Sequence, residues 1–255
     1  MIKAAFFDID GTLYSHKIKA IPESTYTALS MLRERGVFIA AATGRYYAEL
    51  MALPERIRQF DAYLLSNGQV VFDGDMNLLF SSPYKGADEK ALIDIFNEKK
   101  IPIIFAEERE FYINTIDDRA RDTLNALGSP IPEVRPYSGR PVYQATAYTA
   151  EEDFEFLKSS VKDCTVAHWY KYVYDLVIND GGKGRAMIEL LSRLGISPED
   201  VIAFGDADND IDMIRRAGIG VAVGHSDPRL QEVADIICDD IENDGIYKVI
   251  CSLLD

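Results

Sequence analysis

Two aspartates spaced i, i+2 end an apolar run in AAFFDIDGT, Ala4 to Thr12. Carboxylates this close repel each other and lose hydration when buried. They can also bracket a reacting group, Asp8 and Asp10 dividing the roles of nucleophile and acid/base between them. Gly11 permits a tight turn as the run ends. A bare DxD pair reads as two solvated loop acids. The apolar run leading in and GT leading out argue against that here.

Three further stretches carry related chemistry. In ATGR, Ala42 to Arg45, Thr43 offers a hydroxyl and Gly44 an unhindered N–H at an expected helix start. That combination suits a phosphate, or simply caps a helix. In GGKGR, Gly181 to Arg185, Lys183 opens a helix, where its charge opposes the helix dipole. It can neutralise a phosphate and a set of acids, or be an exposed lysine. GxxxxGK[ST] fails, because Val177 holds the first glycine position and Gly184 follows the lysine. In GDADNDIDM, Gly205 to Met213, the acids Asp206, Asp208, Asp210 and Asp212 alternate along the chain. Such spacing points to a divalent cation or to a solvated acidic turn. A calcium loop of the EF-hand type is excluded, since Ile211 and Ala217 stand where glycine and glutamate are required. His16, His168 and His225 are scattered and read as structural or surface residues. AGIGVAVG, Ala217 to Gly224, lacks the GxGxxG spacing of a dinucleotide loop.

Composition narrows the partners. Lys and Arg number 27 against 42 Asp and Glu, a formal net charge of −15. So acidic a chain repels nucleic-acid backbones and anionic membrane surfaces, and neither is expected as a partner. Any anionic ligand must be held by local cations or oriented N–H groups. The 47% hydrophobic content is enough for a sizeable core. Three cysteines without CxxC spacing give neither a disulfide framework nor a zinc site. The first residues meet Asp8 too soon for a signal peptide, and no apolar run approaches a membrane span. A soluble, cytoplasmic protein is expected.

The elements that must position these residues alternate. Ile2–Phe7, Val37–Ala42 and Ala62–Ser66 read as strands. Pro22–Arg35 and Tyr46–Gln59 read as helices, the second interrupted near Pro54. After Gly181 the pattern returns, with a helix over Lys183–Leu194 whose apolar face is Ala186, Met187, Leu190, Leu191 and Leu194. Ser197 and Pro198 start one short turn, and the strand Val201–Phe204 follows. Between them, Pro83 to Asp180 reads as helix, two strands, helix, strand, helix, two strands. Its strand candidates are Ile101–Phe105, Phe111–Asn114, Tyr143–Tyr148, Thr165–Tyr170 and Val173–Asn179. The expected fold is α/β: a Rossmann-like parallel-sheet core, residues 1–82 and 181–255, with an inserted α+β cap, residues 83–180. The cap is an antiparallel sheet with helices on one face, and Gly181-Gly182 is a hinge for it. Two core strands end in acids, and ligands of open α/β sheets lie beyond the carboxyl ends of the strands.

The four stretches, in this order and each at a strand end or helix start, resemble the haloacid dehalogenase-like phosphatase superfamily. The inserted region and SNG, Ser66 to Gly68, are similar to its Cof-type branch. His225 in VGHS departs from it, since relatives often have asparagine there. The resemblance implies that Asp8 is the nucleophile, forming an aspartyl-phosphate, and Asp10 the acid and base. It implies that Thr43, Gly44, Lys183 and Asn209 bind the phosphoryl group. Mg²⁺ would be held by Asp8, Asp206 and the main-chain oxygen of Asp10, with Asp210 at or next to the ion. The implied activity is hydrolysis of a small phosphorylated metabolite such as a sugar phosphate. A phosphomutase, or a binding relative without catalysis, is the alternative. Cap residues are expected to choose the substrate, with HWYKYVY, His168 to Tyr174, as a candidate lining.

Overall fold

The computed structural model describes residues 1–179 and 181–254; the expected boundary residues Asp180 and Asp255 lie outside the described residues. By its contacts the chain forms two units. The first comprises Met1–Gly44, Glu55–Phe80 and Gly182–Asp255, the second Arg45–Pro54 and Ser81–Gly181.

In the first unit the sheet runs Ile236–Cys238, Ile219–Val223, Val201–Gly205, Ala4–Phe7, Phe38–Ala42, Ala62–Leu65, Val70–Asp73, Leu78–Ser81. The first six strands pair in parallel. In the five strands from Ile219–Val223 to Ala62–Leu65 nearly every side chain is buried, on both faces, which is why such segments read as unbroken apolar runs; the edge strand Ile236–Cys238 is part-exposed. One face, through Phe6, Ala40, Leu64 and Ala203, packs on Ala186, Met187, Leu190 and Leu191 of the helix Lys183–Leu194. Leu194 does not join that stripe. It is exposed, in the last turn before Gly195 adopts φ +67°. The helix Glu23–Glu34 packs on the strand Phe38–Ala42 and on the helix Gly245–Leu254. The segment around Pro54 divides into a helix, Tyr47–Met51, and a single turn, Glu55–Ile57.

The strands Val70–Asp73 and Leu78–Ser81 were not expected. Val70–Asp73 turns antiparallel against Ala62–Leu65. The intervening turn is held by Asp73, whose carboxylate accepts from the N–H groups of Asp75 and Asn77 and from the Asn77 amide. Such self-bonding is how aspartate favours a turn.

In the second unit the sheet runs Cys164–Tyr170, Val173–Ile178, Gln144–Tyr148, Ile103–Ala106, Phe111–Ile113, Glu133–Val134. Its pairs are antiparallel except the last, which is parallel. Helices cover both faces, not one. Leu92, Ile95 and Phe96 of Gly86–Glu98 and Leu157 of Phe154–Ser160 pack with Phe105, Ala145, Ala147 and Leu176. Ala120 and Leu124 of Asp118–Leu127 pack with Ile104, Ile113, Tyr148 and Val173, the alternate residues of the same strands. These alternate positions are apolar too, so both sides of the sheet need cover. Tyr46 belongs to this second cluster, and its hydroxyl meets Thr146 Oγ1 at 2.6 Å. After the strand Phe38–Ala42 the chain passes into the second unit at Arg45.

Candidate active site

The strands Ala4–Phe7 and Val201–Gly205 lie side by side, Phe7 opposite Phe204. Their rings stack at 4.8 Å, and the N–H of Asp8 bonds to the Phe204 carbonyl at 3.0 Å. Both strands therefore deliver their first acids, Asp8 and Asp206, at the same end of the sheet. Two glycines make room for Asp206 and Asp210. Gly11 has φ +85°, and a Cβ there would fall 2.3 Å from Asp206 Oδ2. At Gly205 a Cβ would fall 2.5 Å from Asp210 Cβ. Thr12 Oγ1 donates to Asp206 Oδ1 at 2.8 Å, fixing that carboxylate's orientation.

Lys183 opens the helix Lys183–Leu194 and is fully buried. Its Nζ donates to Asp8 Oδ1 at 2.6 Å and to Asp210 Oδ1 at 2.7 Å. Asp210 Oδ2 accepts the N–H groups of Asp206 and Ala207, each at 3.1 Å. Both Asp210 oxygens are thus engaged within the protein. The alternating acids of GDADNDIDM do not act together. A single turn, Asp208–Asp210, swings Asp208 outward to Arg229 Nη1 at 3.1 Å, and Asp212 bonds Arg216 Nε at 2.6 Å.

Burial is the main cause that raises the Asp8 carboxyl well above the usual range; Asp210 and Asp206 add to it and Lys183 opposes. Asp206 is pushed up to about 6, by burial first and by Asp210 next. Burial depresses the Lys183 ammonium, but Asp210 and Asp8 more than restore it, and its pKa lies above the ordinary lysine value. The lysine is therefore charged at neutral pH. Carboxylate oxygens of Asp8, Asp206 and Asp210 all lie within 4.8 Å of one another. Three carboxylates and one ammonium leave −3 + 1 = −2 when all are ionised, a donor set and charge that fit a divalent cation.

The other expected residues are also placed. Thr43 is buried at the end of the strand Phe38–Ala42, and its N–H bonds to the Leu64 carbonyl. Gly44 lies against Asn67, whose Oδ1 would be 3.3 Å from a Cβ there. Asn209 donates from Nδ2 to Asn67 Oδ1 at 2.9 Å. The Asp10 carboxylate is outside the three-acid group and lies 3.4 Å from His16 Nε2. Sequence reasoning passed over His16, which is neither at metal-ligand spacing nor beside an obvious nucleophile. His225 is exposed, and its N–H bonds to Asp240 Oδ1 at 3.1 Å.

The sequence pattern of the haloacid dehalogenase-like hydrolases matches residues 5–250. The chain belongs to that family. Among these hydrolases it is 30% identical to YkrA of Bacillus subtilis (strain 168), a phosphatase by provisional name, over 98% of this chain and 97% of that one. It is 27% identical to the pyridoxal phosphate phosphatase YbhA of Escherichia coli (strain K12), over 97% of both. The solved HAD subclass IIB sugar phosphatase BT4131 superposes with a TM-score of 0.83 at 30% identity, covering 98% of each chain. Among the described residues of this hydrolase, no helix is long and apolar enough to cross a membrane.

Proposed function

We propose that this hydrolase is a Mg²⁺-dependent phosphatase of small phosphorylated metabolites, working through an aspartyl-phosphate on Asp8. The observation that carries the reading is the bridge of Lys183 between the buried Asp8 and Asp210, with the half-buried Asp206 in the same group. One carboxylate would balance the charge of a buried lysine. Three mutually repelling acids around it are costly unless a cation and a phosphoryl group are to be handled there.

Asp8 and Asp206 would hold the ion, together with the main-chain oxygen of Asp10. Asp210, with both oxygens already committed, holds Lys183 and the turn Asp206–Ala207. When bound, the ion offsets the charge of the acids and of the phosphoryl oxygens. The chain's own residues do the rest. Lys183, Thr43 and the N–H of Gly44 hold the phosphoryl oxygens, and Asn209 adds an amide. An Asp8 oxygen attacks phosphorus, and the bond from phosphorus to the substrate's ester oxygen breaks. Asp10 gives its proton to that departing oxygen. It then takes a proton from water, whose oxygen attacks the phosphorus and frees Asp8 and inorganic phosphate. Positioning and charge stabilisation supply most of the rate in such transfers.

The relatives named as pyridoxal phosphate and sugar phosphatases support small phosphorylated metabolites as the substrate class. The second unit is then the place to look for substrate choice. Within HWYKYVY, Val173 and Tyr174 are buried in the unit and are packing residues, while His168 is exposed and stacks on Tyr174 at 4.6 Å. Trp169, Tyr170 and Lys171 stand exposed, and the latter two line a groove with Arg119, Asp122 and Tyr172. The test is release of inorganic phosphate from an aryl phosphate by purified protein, with Mg²⁺ and with chelator. Turnover that needs the ion is expected; full turnover in chelator would refute the ion's part, and none under any condition would refute the reading.

A further inference from the structure

The SNG stretch carries a cost that the roles above do not explain. Ser66, Asn67 and Gly68 follow the strand Ala62–Leu65 with φ of 50°, 56° and 84°. Three successive left-handed residues are rare, and two of them here carry side chains. Both are buried, Ser66 at 2% and Asn67 at 6% exposure. Strain of this kind persists where the surroundings over-determine it, and it gathers at functional sites.

The surroundings are the three phosphate-handling stretches. The N–H of Asn67 bonds to the Thr43 carbonyl at 2.9 Å, and Asn67 Oδ1 faces Gly44. Gly68 lies so close to the helix carrying Lys183 that a Cβ would sit 2.7 Å from both the Gly182 carbonyl oxygen and Ala186 Cβ. Asn67 Oδ1 accepts from Asn209 Nδ2. One short loop therefore touches the Thr43–Gly44 turn, the start of the Lys183 helix and Asn209. The first and last contacts belong to Asn67 itself.

We infer that Asn67 is a positioning residue that fixes the Asn209 amide for the phosphoryl group; this rests on the phosphatase reading. An asparagine side chain rotates freely and its two ends look alike. A carboxamide oxygen placed against Nδ2 engages one N–H of Asn209 and sets the amide plane. The other N–H, and the orientation of Asn209 as a whole, are then available to an oxyanion without a search. The left-handed backbone is what brings the short Asn67 side chain back against Gly44 and Asn209.

Asparagine is also the ordinary choice for a left-handed residue, so backbone and amide must be separated. Asn67→Gly does this, since glycine keeps the conformation and deletes the amide. The experiment measures kcat and KM for an aryl phosphate, and inhibition by inorganic phosphate, in Asn67→Gly, Asn209→Ala and the double variant, with thermal melting as the folding control. Asn67→Gly should melt as a folded protein and lose roughly tenfold in kcat/KM, an effect of one charge-assisted hydrogen bond. Phosphate inhibition should weaken with it. The double variant should be no worse than Asn209→Ala, because Asn67 acts through Asn209. Parent-like kinetics in Asn67→Gly, or losses that multiply in the double variant, would overturn the inference and leave the phosphatase reading standing. Parent protein that neither hydrolyses the ester nor responds to phosphate would overturn both.

Discussion

Lys183 Nζ lies 2.6 Å from Asp8 Oδ1, across 175 residues of chain. A buried ion pair of this kind adds little net stability, because the cost of desolvating both charges offsets their attraction. Here the lysine shares its charge with Asp210 at 2.7 Å, so removing it would strand two buried carboxylates. Lys183→Met should destabilise the ion-free protein by about 3–5 kcal/mol. Where the variant still folds, turnover should fall by the equivalent of about 2–4 kcal/mol. Urea denaturation and steady-state kinetics check the two parts. A parent-like midpoint together with a parent-like rate would make Lys183 an idle residue.

Proton and cation should compete for the acids. Burial, and next Asp210, push the Asp206 carboxyl up to about 6 in the ion-free protein. A raised carboxyl favours folding while it is protonated and loses that contribution as pH climbs through its folded value. A bound cation needs the ionised form, so its binding releases protons below pH 6. The gain in melting temperature from Mg²⁺ should therefore be small at pH 5 and large at pH 7.5. Affinity should drop about tenfold per pH unit below 6 from this group alone. Calorimetry at two pH values measures both the affinity and the protons released. An ion effect equal at both would contradict the expected ligand set.

Gly11 is a close-contact glycine of the site. Alanine there meets Asp206 Oδ2 at 2.3 Å and must also hold φ +85°. Gly11→Ala should cost about 1–2 kcal/mol of stability from the backbone alone. It should weaken Mg²⁺ binding more than it weakens folding, because the clash is with a proposed ligand. Equal Mg²⁺ affinity in a folded Gly11→Ala protein would count against Asp206 as that ligand.

How much of this was readable in the residues follows from the forces involved. The buried parallel strands were plain, because burial on both faces leaves unbroken apolar runs such as VFIAAA. The hairpin Val70–Ser81 was missed because its strands are only four residues each and the second is part-exposed. Leu194 continued the helical period but fell in the last turn, where the period no longer meets the core. A helix between the strands Phe111–Asn114 and Tyr143–Tyr148 was expected without bounds, and Asp118–Leu127 is that helix; its side of the sheet depended on strand alternation that spacing alone did not settle. At the site, order and chemistry grouped Asp8, Lys183, Asp206 and Asp210, and the fold brings these four together. The even spacing of the acids suggested one row of ligands. A turn of helix splits that row, since residues two apart point in different directions. The contacts of His16 and Asn67 left no trace in spacing, because each depends on how a loop folds back.

Substrate choice should reside in the second unit. The exposed tip residues Trp169, Tyr170 and Lys171 can be replaced together by alanine without emptying a core position. The ranking of phosphorylated metabolites should then change, while kcat/KM for a small aryl phosphate stays within about threefold, as expected for surface positions. An unaltered ranking across the panel would remove this tip from the account.

The central claim is that Asp8 takes the phosphoryl group. Enzyme mixed with excess aryl phosphate and Mg²⁺, quenched in acid within a turnover, and digested for mass spectrometry tests it directly. One added phosphoryl group should appear on the peptide carrying Asp8, disappear on longer incubation as substrate is exhausted, and be absent in Asp8→Asn. A phosphoryl group on another residue, or sustained turnover by Asp8→Asn, would contradict the account.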